Sequence, residues 1–378
     1  MPEAFKHLLN PALVRACALH LRRAWPEFDA MRFESLVAPG YAELEMKARA
    51  MRVADALGAT LPTDFDHACA VIEAALGPAG AGDDLSSLRS SDAGLAGWIV
   101  WPLGEFVARR GLAHPHRALA ALHALTQRFS AEWAIRPLLL AHPQLCYTTL
   151  AGWALDPSAH VRRLVSEGSR PRLPWGLQLK PAIADPRPAL PLLKLLQDDA
   201  SAYVRRSVAN HLNDIGKDHP DLLAQWLETH LPGANPERQQ LLRHASRSLI
   251  KAGDARVLAA FGVARGFEGS TRLALECAAV PIGGTLPFTL ELCAPDNAPP
   301  LQKLVIDYAV HHVKANGEHS PKVFKGWQLD LDAGRTRLLR KSHSFRLITT
   351  RVYYPGCHRL DVRINGEVVA EAAFELVR

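Results

Sequence analysis

Apolar residues recur at helical spacing from about residue 2 to residue 276, in stretches rich in Ala, Leu and Arg that Pro or Gly breaks about every 12–20 residues; the pattern predicts many short helices. Beyond Pro281-Ile-Gly-Gly284 the period changes to two. Leu304, Ile306, Tyr308 and Val310 alternate with Val305, Asp307, Ala309 and His311, and Leu360, Val362 and Ile364 run into Asn365-Gly366 and Val368, a strand meeting a two-residue hairpin turn. The expected organisation is mainly α: a helical domain over 1–280 and a small all-β sandwich over 281–378, with Pro281–Gly284 as the linker.

Within the helical part the sequence repeats. Asp156-Pro-Ser-Ala-His-Val-Arg-Arg-Leu-Val165 matches Asp199-Ala-Ser-Ala-Tyr-Val-Arg-Arg-Ser-Val208, an offset of 43 residues (156 to 199), and Leu241-Leu-Arg-His-Ala-Ser246 is a weaker third copy. Such offsets fit the helix pairs of HEAT and armadillo solenoids. Val161, Leu164 and Val165 make the apolar stripe of the first copy, so Arg163, Glu167 and Arg170 fall together on another face. The same offsets give Arg206, Asn210 and Asn213, then His244, Ser248 and Lys251. Recurrence in register predicts a polar and basic track suited to phosphates, interrupted by the Glu167 carboxylate. The competing reading is a solvated face with Arg163 and Glu167 as an i,i+4 ion pair.

Composition narrows the class. Hydrophobic residues are 48% and charged residues 22% of the 378, which excludes a largely disordered or fibrous chain. Apolar runs such as Leu190–Leu196 fall far short of a membrane helix and no basic-then-apolar leader opens the chain, so a cytoplasmic protein with no membrane partner is expected. The six cysteines form no CxxC pair and the 17 histidines show no tight ligand spacing, so neither metal nor cofactor is expected. The net charge of +6, from 44 basic and 38 acidic residues, permits nucleic-acid binding without requiring it. One concentration of charge lies in the β part, where Arg335, Arg337, Arg340, Lys341, Arg346 and Arg351 occur without an acidic residue. They read as a solvated face or as a second nucleic-acid contact, with Ser342, His343, Ser344, Thr349 and Thr350 as neutral donors.

Two segments combine residue types that carry chemistry. Residues 160–175 hold four arginines, Glu167 and Trp175: cations for phosphates, an indole for stacking and a carboxylate for a reacting centre. Trp175 closing the solenoid core is the structural alternative. In Phe129-Ser-Ala-Glu-Trp133, Ser130 can start a helix with Glu132 in its first turn, and Trp133 reads as core.

At RFSAEWAIRPLL (128–139), HVRRLVSEGSRPRLPW (160–175) and YVRRSVANHLNDIGKDHPDLL (203–223) the chain resembles the AlkC branch of the AlkC/AlkD DNA alkylation-repair glycosylases. The resemblance covers most of residues 1–280, and the family's form with an appended immunoglobulin-like domain would account for the rest. It implies a HEAT-like solenoid that grips duplex DNA and excises small cationic N3-methylated bases, 3-methyladenine and 3-methylcytosine, without fully extruding them. By motif position it implies Glu132 and Glu167 as catalytic carboxylates, Trp175 and Arg163 close to the lesion, and Asn210, Asn213 and Asp214 on a strip facing DNA. Trp133 stands where the family has a smaller aromatic. The chemistry is consistent, since a base made cationic by N3-alkylation leaves without a strong general acid. The expected partner is double-stranded DNA containing alkylated bases, with no obligate protein partner. The alternative class is a non-enzymatic HEAT-type scaffold binding DNA or protein through the same columns, which has little use for Glu132 and Glu167.

Overall fold

A computed structural model of the chain describes residues 5–348 and 351–378. Sixteen α-helices, from Pro11–Ala24 to Ala255–Ala260, precede eight strands among the described residues. No helix among them is long and apolar enough to cross a membrane. Two compact units result, one running to Asp218 and taking up Asn235–Ala245, the other made of His219–Ala234 and Ser246–Arg378.

Helix starts follow local chemistry. Asn10, Asp29, Asp64 and Asp254 each accept a hydrogen bond from the amide three residues on. Prolines open Pro115–Thr126, Pro143–Trp153 and Pro220–His230, where the missing N–H has no intrahelical acceptor to lose. The repeat has a mechanical logic. Asp156 and Asp199 accept from the amides of Ser158 and Ser201, each at 2.8 Å. The first arginine of each pair folds back on the same turn, Arg162 to the Asp156 carbonyl (2.8 Å) and Arg205 to that of Asp199 (2.6 Å). Arg162 also grips the Asp199 carboxylate with two bonds, at 2.6 and 3.0 Å, and so ties one repeat to the next. The first arginine is thereby structural. The second, Arg163 or Arg206, is left for the other face.

The strands are β1 (Ser270–Leu275), β2 (Ala279–Pro281), β3 (Thr285–Cys293), β4 (Leu301–Val313), β5 (His319–Asp332), β6 (Thr336–Ser344), β7 (Gly356–Ile364) and β8 (Glu367–Val377). They form sheets in the orders β1-β3-β6 and β2-β8-β7-β4-β5, around a core of Phe288, Leu290, Ile306, Phe345, Leu360 and Ile364. Asn365-Gly366 makes the expected hairpin turn, both residues having positive φ (51° and 88°). The Asn365 side chain accepts from the Val305 amide and donates to the carbonyls of Ala264 and Gly266.

The strands begin ten residues ahead of the boundary expected near 280. β1 pairs with β3 along its whole length, but its Ala-Leu content matches that of the preceding helices, which concealed it. Pro281–Gly284 is correspondingly no linker. It is the turn between β2 and β3, closed by the Gly284 amide donating to the Pro281 carbonyl (2.9 Å), with Gly283 at φ 94°.

The sandwich buries three histidines together. His312 lies 5.8 Å from His358 and 6.1 Å from His343 between ring centroids. Burial, with Arg351 beside it, pushes His312 down to about 3, and the same two causes take His343 to about 4. Burial also lowers His358. The unfolded chain therefore binds protons that the folded sandwich refuses. Stability from this cluster is complete above the ordinary histidine value of 6.5 and is lost as pH falls toward the folded values. Thermal melts followed by near-ultraviolet circular dichroism are expected to shift steadily downward from pH 6.5 to 4. A flat profile would mean that the three imidazoles titrate normally.

Candidate active site

The site is built where the Ala159–Gly168 helix packs against Ala202–Asp218. Packing buries Glu167 and Asp214, and a buried carboxylate keeps its charge only beside cations. Arg163 supplies one: its Nη1 is 2.7 Å from Glu132 Oε2 and its Nη2 is 3.8 Å from Glu167 Oε1, with the guanidinium 4.9 Å from the centre of the Tyr203 ring. Arg170 supplies the other, 2.5 Å from Glu167 Oε1 and 2.8 Å from Asp214, which also receives Lys217 at 2.9 Å. The Ser207 hydroxyl donates to Glu167 Oε2 at 2.6 Å. Burial alone would raise the Glu167 carboxyl, but Arg163, Arg170 and Ser207 outweigh it and hold the group below the ordinary glutamate value. Burial likewise raises the Tyr203 phenol, against the pull of Arg163.

The column expected to face phosphates is therefore, in its first copy, an internal network. Arg163 and Arg170 are turned inward by the carboxylates they neutralise. Neither is the solvated i,i+4 pair of the competing reading, because the Arg163 and Glu167 side chains are only 14% and 7% exposed.

Glu132 also departs from the helix-start reading. The helix begins at Ile135, and Glu132 stands in the turn before it. Ser130 caps nothing there: its hydroxyl donates to Glu132 Oε2 (2.7 Å) and accepts from Arg163 (3.0 Å). Glu132 Oε1 receives no donor among the described residues. This carboxylate lies on the wall of a cleft of about 810 Å³ shared with Trp98, Phe129, Trp133 and Arg163, whereas Glu167 is set behind Arg163 and does not line it.

Aromatic rings continue from the cleft. Trp133 stacks on Trp101 at 4.4 Å, and Trp101 faces Trp175 at 6.1 Å with planes 9° apart. Trp175 does not close the core; it is 53% exposed and has φ 62°. Sequence reasoning missed Trp98, Trp101 and Tyr203, and gave Ser130 only the role of a helix start. The i,i+3 spacing of Trp98 and Trp101 was the available signal, but it fits core packing equally well.

The remaining expected residues divide. Arg206 is exposed and lines a groove of about 150 Å³ with Arg205, Glu237, Gln240 and His244, and Asn210 Oδ1 lies 3.1 Å from His244 Nε2. Asn213 and Asp214, expected on a strip facing DNA, are buried to 2% and 1% exposure, because the inner face of their helix carries them into the solenoid. Lys251 is exposed on Arg247–Ala252, in the second unit. Arg335, Arg337 and Arg340 are exposed too, but the strand period separates them: Arg337 pairs with Leu292 and Arg340 with Thr289, one odd and one even position on opposite faces of β6. The acid-free run is therefore not one basic face. Thr349 and Thr350 lie outside the described residues. No group of His, Cys, Asp or Glu among the described residues is arranged to hold a metal ion.

Comparison with known proteins places this arrangement. Residues 270–378 match the family described as "Uncharacterised protein YhaZ, C-terminal Ig-like domain". The chain is 36% identical to the protein YhaZ of Bacillus subtilis, over 98% of its own length and 99% of the relative's. It is 37% identical to the alkylpurine DNA glycosylase AlkC of Pseudomonas fluorescens, whose structure was solved bound to DNA containing an abasic-site analog. That likeness covers 100% of both chains with a TM-score of 0.88. With a HEAT-like helical solenoid followed in the chain by an immunoglobulin-like sandwich, and with this identity over its full length, the chain belongs to the AlkC-type family.

Proposed function

We propose that this protein is a monofunctional DNA glycosylase that hydrolyses the N-glycosidic bond of small cationic N3-methylated bases, 3-methyladenine and 3-methylcytosine, in double-stranded DNA. The observation that carries the reading is Glu132: a buried carboxylate with one oxygen committed to Ser130 and Arg163 and the other without a donor among the described residues, on the wall of a cleft lined by aromatic rings. A carboxylate so placed meets a cation. The π faces of Trp98, Phe129 and Trp133 favour the same charge. As the bond breaks, positive charge passes from base to sugar, and the fixed negative charge of Glu132, supported from behind by Glu167, favours the oxocarbenium-like transition state. The same carboxylate can orient the attacking water. Trp175 offers a ring on which a base can stack. The AlkC of Pseudomonas fluorescens, an alkylpurine DNA glycosylase, supports alkylated purines in DNA as substrates.

Incubating the purified protein with methylated duplex DNA and identifying the freed bases by mass spectrometry tests this directly. Release of 3-methyladenine and 3-methylcytosine is expected. Strong duplex binding with no base released would leave the non-enzymatic scaffold.

Salt dependence sorts the arginines. Arg206→Ala is expected to weaken binding to damaged and undamaged duplexes alike and to flatten the slope of log affinity against log salt by about one unit. Reversing Arg335, Arg337 and Arg340 to Glu tests whether the β part is a second clamp, the expected result being a loss of both affinity and slope. Slopes equal to wild type in both proteins would return these residues to a solvated role.

A further inference from the structure

The turn that presents Trp175 is held by side chains from elsewhere in the chain. Arg136 is fully buried, and its guanidinium hydrogen bonds go to backbone carbonyls: those of Gly168 (2.9 Å), Arg170 (2.8 Å), Pro171 (3.4 Å) and Leu177. Four carbonyls of one ten-residue stretch thus converge on a single planar cation, whose fixed fork can satisfy them together. Burial lowers the Arg136 guanidinium to about 10, which still leaves it charged at neutral pH. The Trp133 indole N–H donates to the Pro174 carbonyl at 3.1 Å. Lys47, an exposed residue of the Met46–Thr60 helix, donates its ammonium to the carbonyl of Trp175 itself, also at 3.1 Å.

Trp175 needs such anchors. Its φ of 62° lies in the left-handed region that L side chains seldom adopt, and more than half of its surface is exposed, so burial of the indole does not hold it. A strained residue with an exposed side chain persists only where its surroundings over-determine the backbone.

We infer that Arg136 and Lys47 are positioning residues for Trp175: by fixing the carbonyls of residues 168–177 they hold the indole parallel to Trp101 before the substrate arrives. The inference rests on the proposal that Trp175 contacts the lesion. Its consequence is that both residues act on the chemical step through Trp175, with no contact of their own to DNA required.

The experiment is a double-mutant cycle in the full-length protein, reading single-turnover excision from a duplex containing 3-methyladenine, affinity for undamaged duplex, and thermal melting. Lys47→Met is expected to leave melting and undamaged-duplex affinity unchanged while slowing excision about 3- to 10-fold. Arg136→Lys, which keeps the charge and loses the fork, is expected to slow it about tenfold or more. In a Trp175→Ala background Lys47→Met should slow excision no further. Excision at the wild-type rate in Lys47→Met, or a loss that persists undiminished in the Trp175→Ala background, would overturn the inference. Trp175→Ala excising at full rate would instead remove the lesion-contact role, and the positioning role with it. Should Arg136→Lys fail to fold, the Lys47 cycle decides alone, because Lys47 is exposed.

Discussion

Glu132→Gln is expected to slow single-turnover excision by on the order of 10²-fold or more in a chain that still folds and keeps its affinity for undamaged duplex, with a lower melting temperature because Arg163 loses the counter-charge 2.7 Å away. The amide keeps the shape of the side chain and one oxygen for Ser130, and it removes the charge at the cleft wall. Because Glu132 Oε1 receives no donor among the described residues, that charge is available to a cation in the cleft. Glu167→Gln is expected to slow excision on a similar scale and to cost more stability. Both Glu167 oxygens are engaged, by Arg170 and by Ser207, so the amide also leaves two nearly buried guanidinium groups short of a counter-charge and lowers the melting temperature. Excision at the wild-type rate in both variants would exclude a catalytic role for either carboxylate and assign the chemistry to other groups of the cleft.

Arg170→Met is expected to destabilise the solenoid by about 3–5 kcal/mol at neutral pH, the scale of leaving buried carboxylates without their cation. Arg170, Glu167 and Asp214 have side chains only 9%, 7% and 1% exposed, so solvent screens the network little. The sign with pH is fixed by Glu167. Its folded value is depressed, so the stability it contributes is present above the ordinary glutamate value of 4.5 and disappears as pH falls through the folded value. In Arg170→Met that carboxyl loses one of the cations that hold it down and takes up a proton at higher pH. The gap between the melts of wild type and variant is therefore expected to narrow from pH 7 toward pH 4.5. A gap that stays constant over that range would show that Arg170 contributes packing and no charge.

Local chemistry made much of the fold legible. The helical period, proline and Asx helix starts, the Asp-x-Ser turns and the Val-Arg-Arg repeat are short-range features, and each depends on residues within about one turn of one another. So does the Asn365-Gly366 hairpin. The β1 strand escaped because six residues rich in Ala and Leu do not separate a short strand from a helix end.

The site was legible only as a set of names. The sequence alone determined that Glu132, Arg163, Glu167 and Trp175 stand in motif-like segments, and that Arg163 and Arg206 occupy equivalent places in the repeat. Tertiary structure decided what each of them faces. Whether Arg163 points to phosphates or to carboxylates depends on Glu132, 31 residues away in sequence (132 to 163), and on how deeply helix packing buries Glu167. The same packing sent Asn213 and Asp214 inward and left Arg206 outside. Helical periodicity assigns a residue to a face. Only the neighbour packed against that face settles whether it meets solvent, a counter-ion or a ligand, and the neighbour comes from a distant part of the chain.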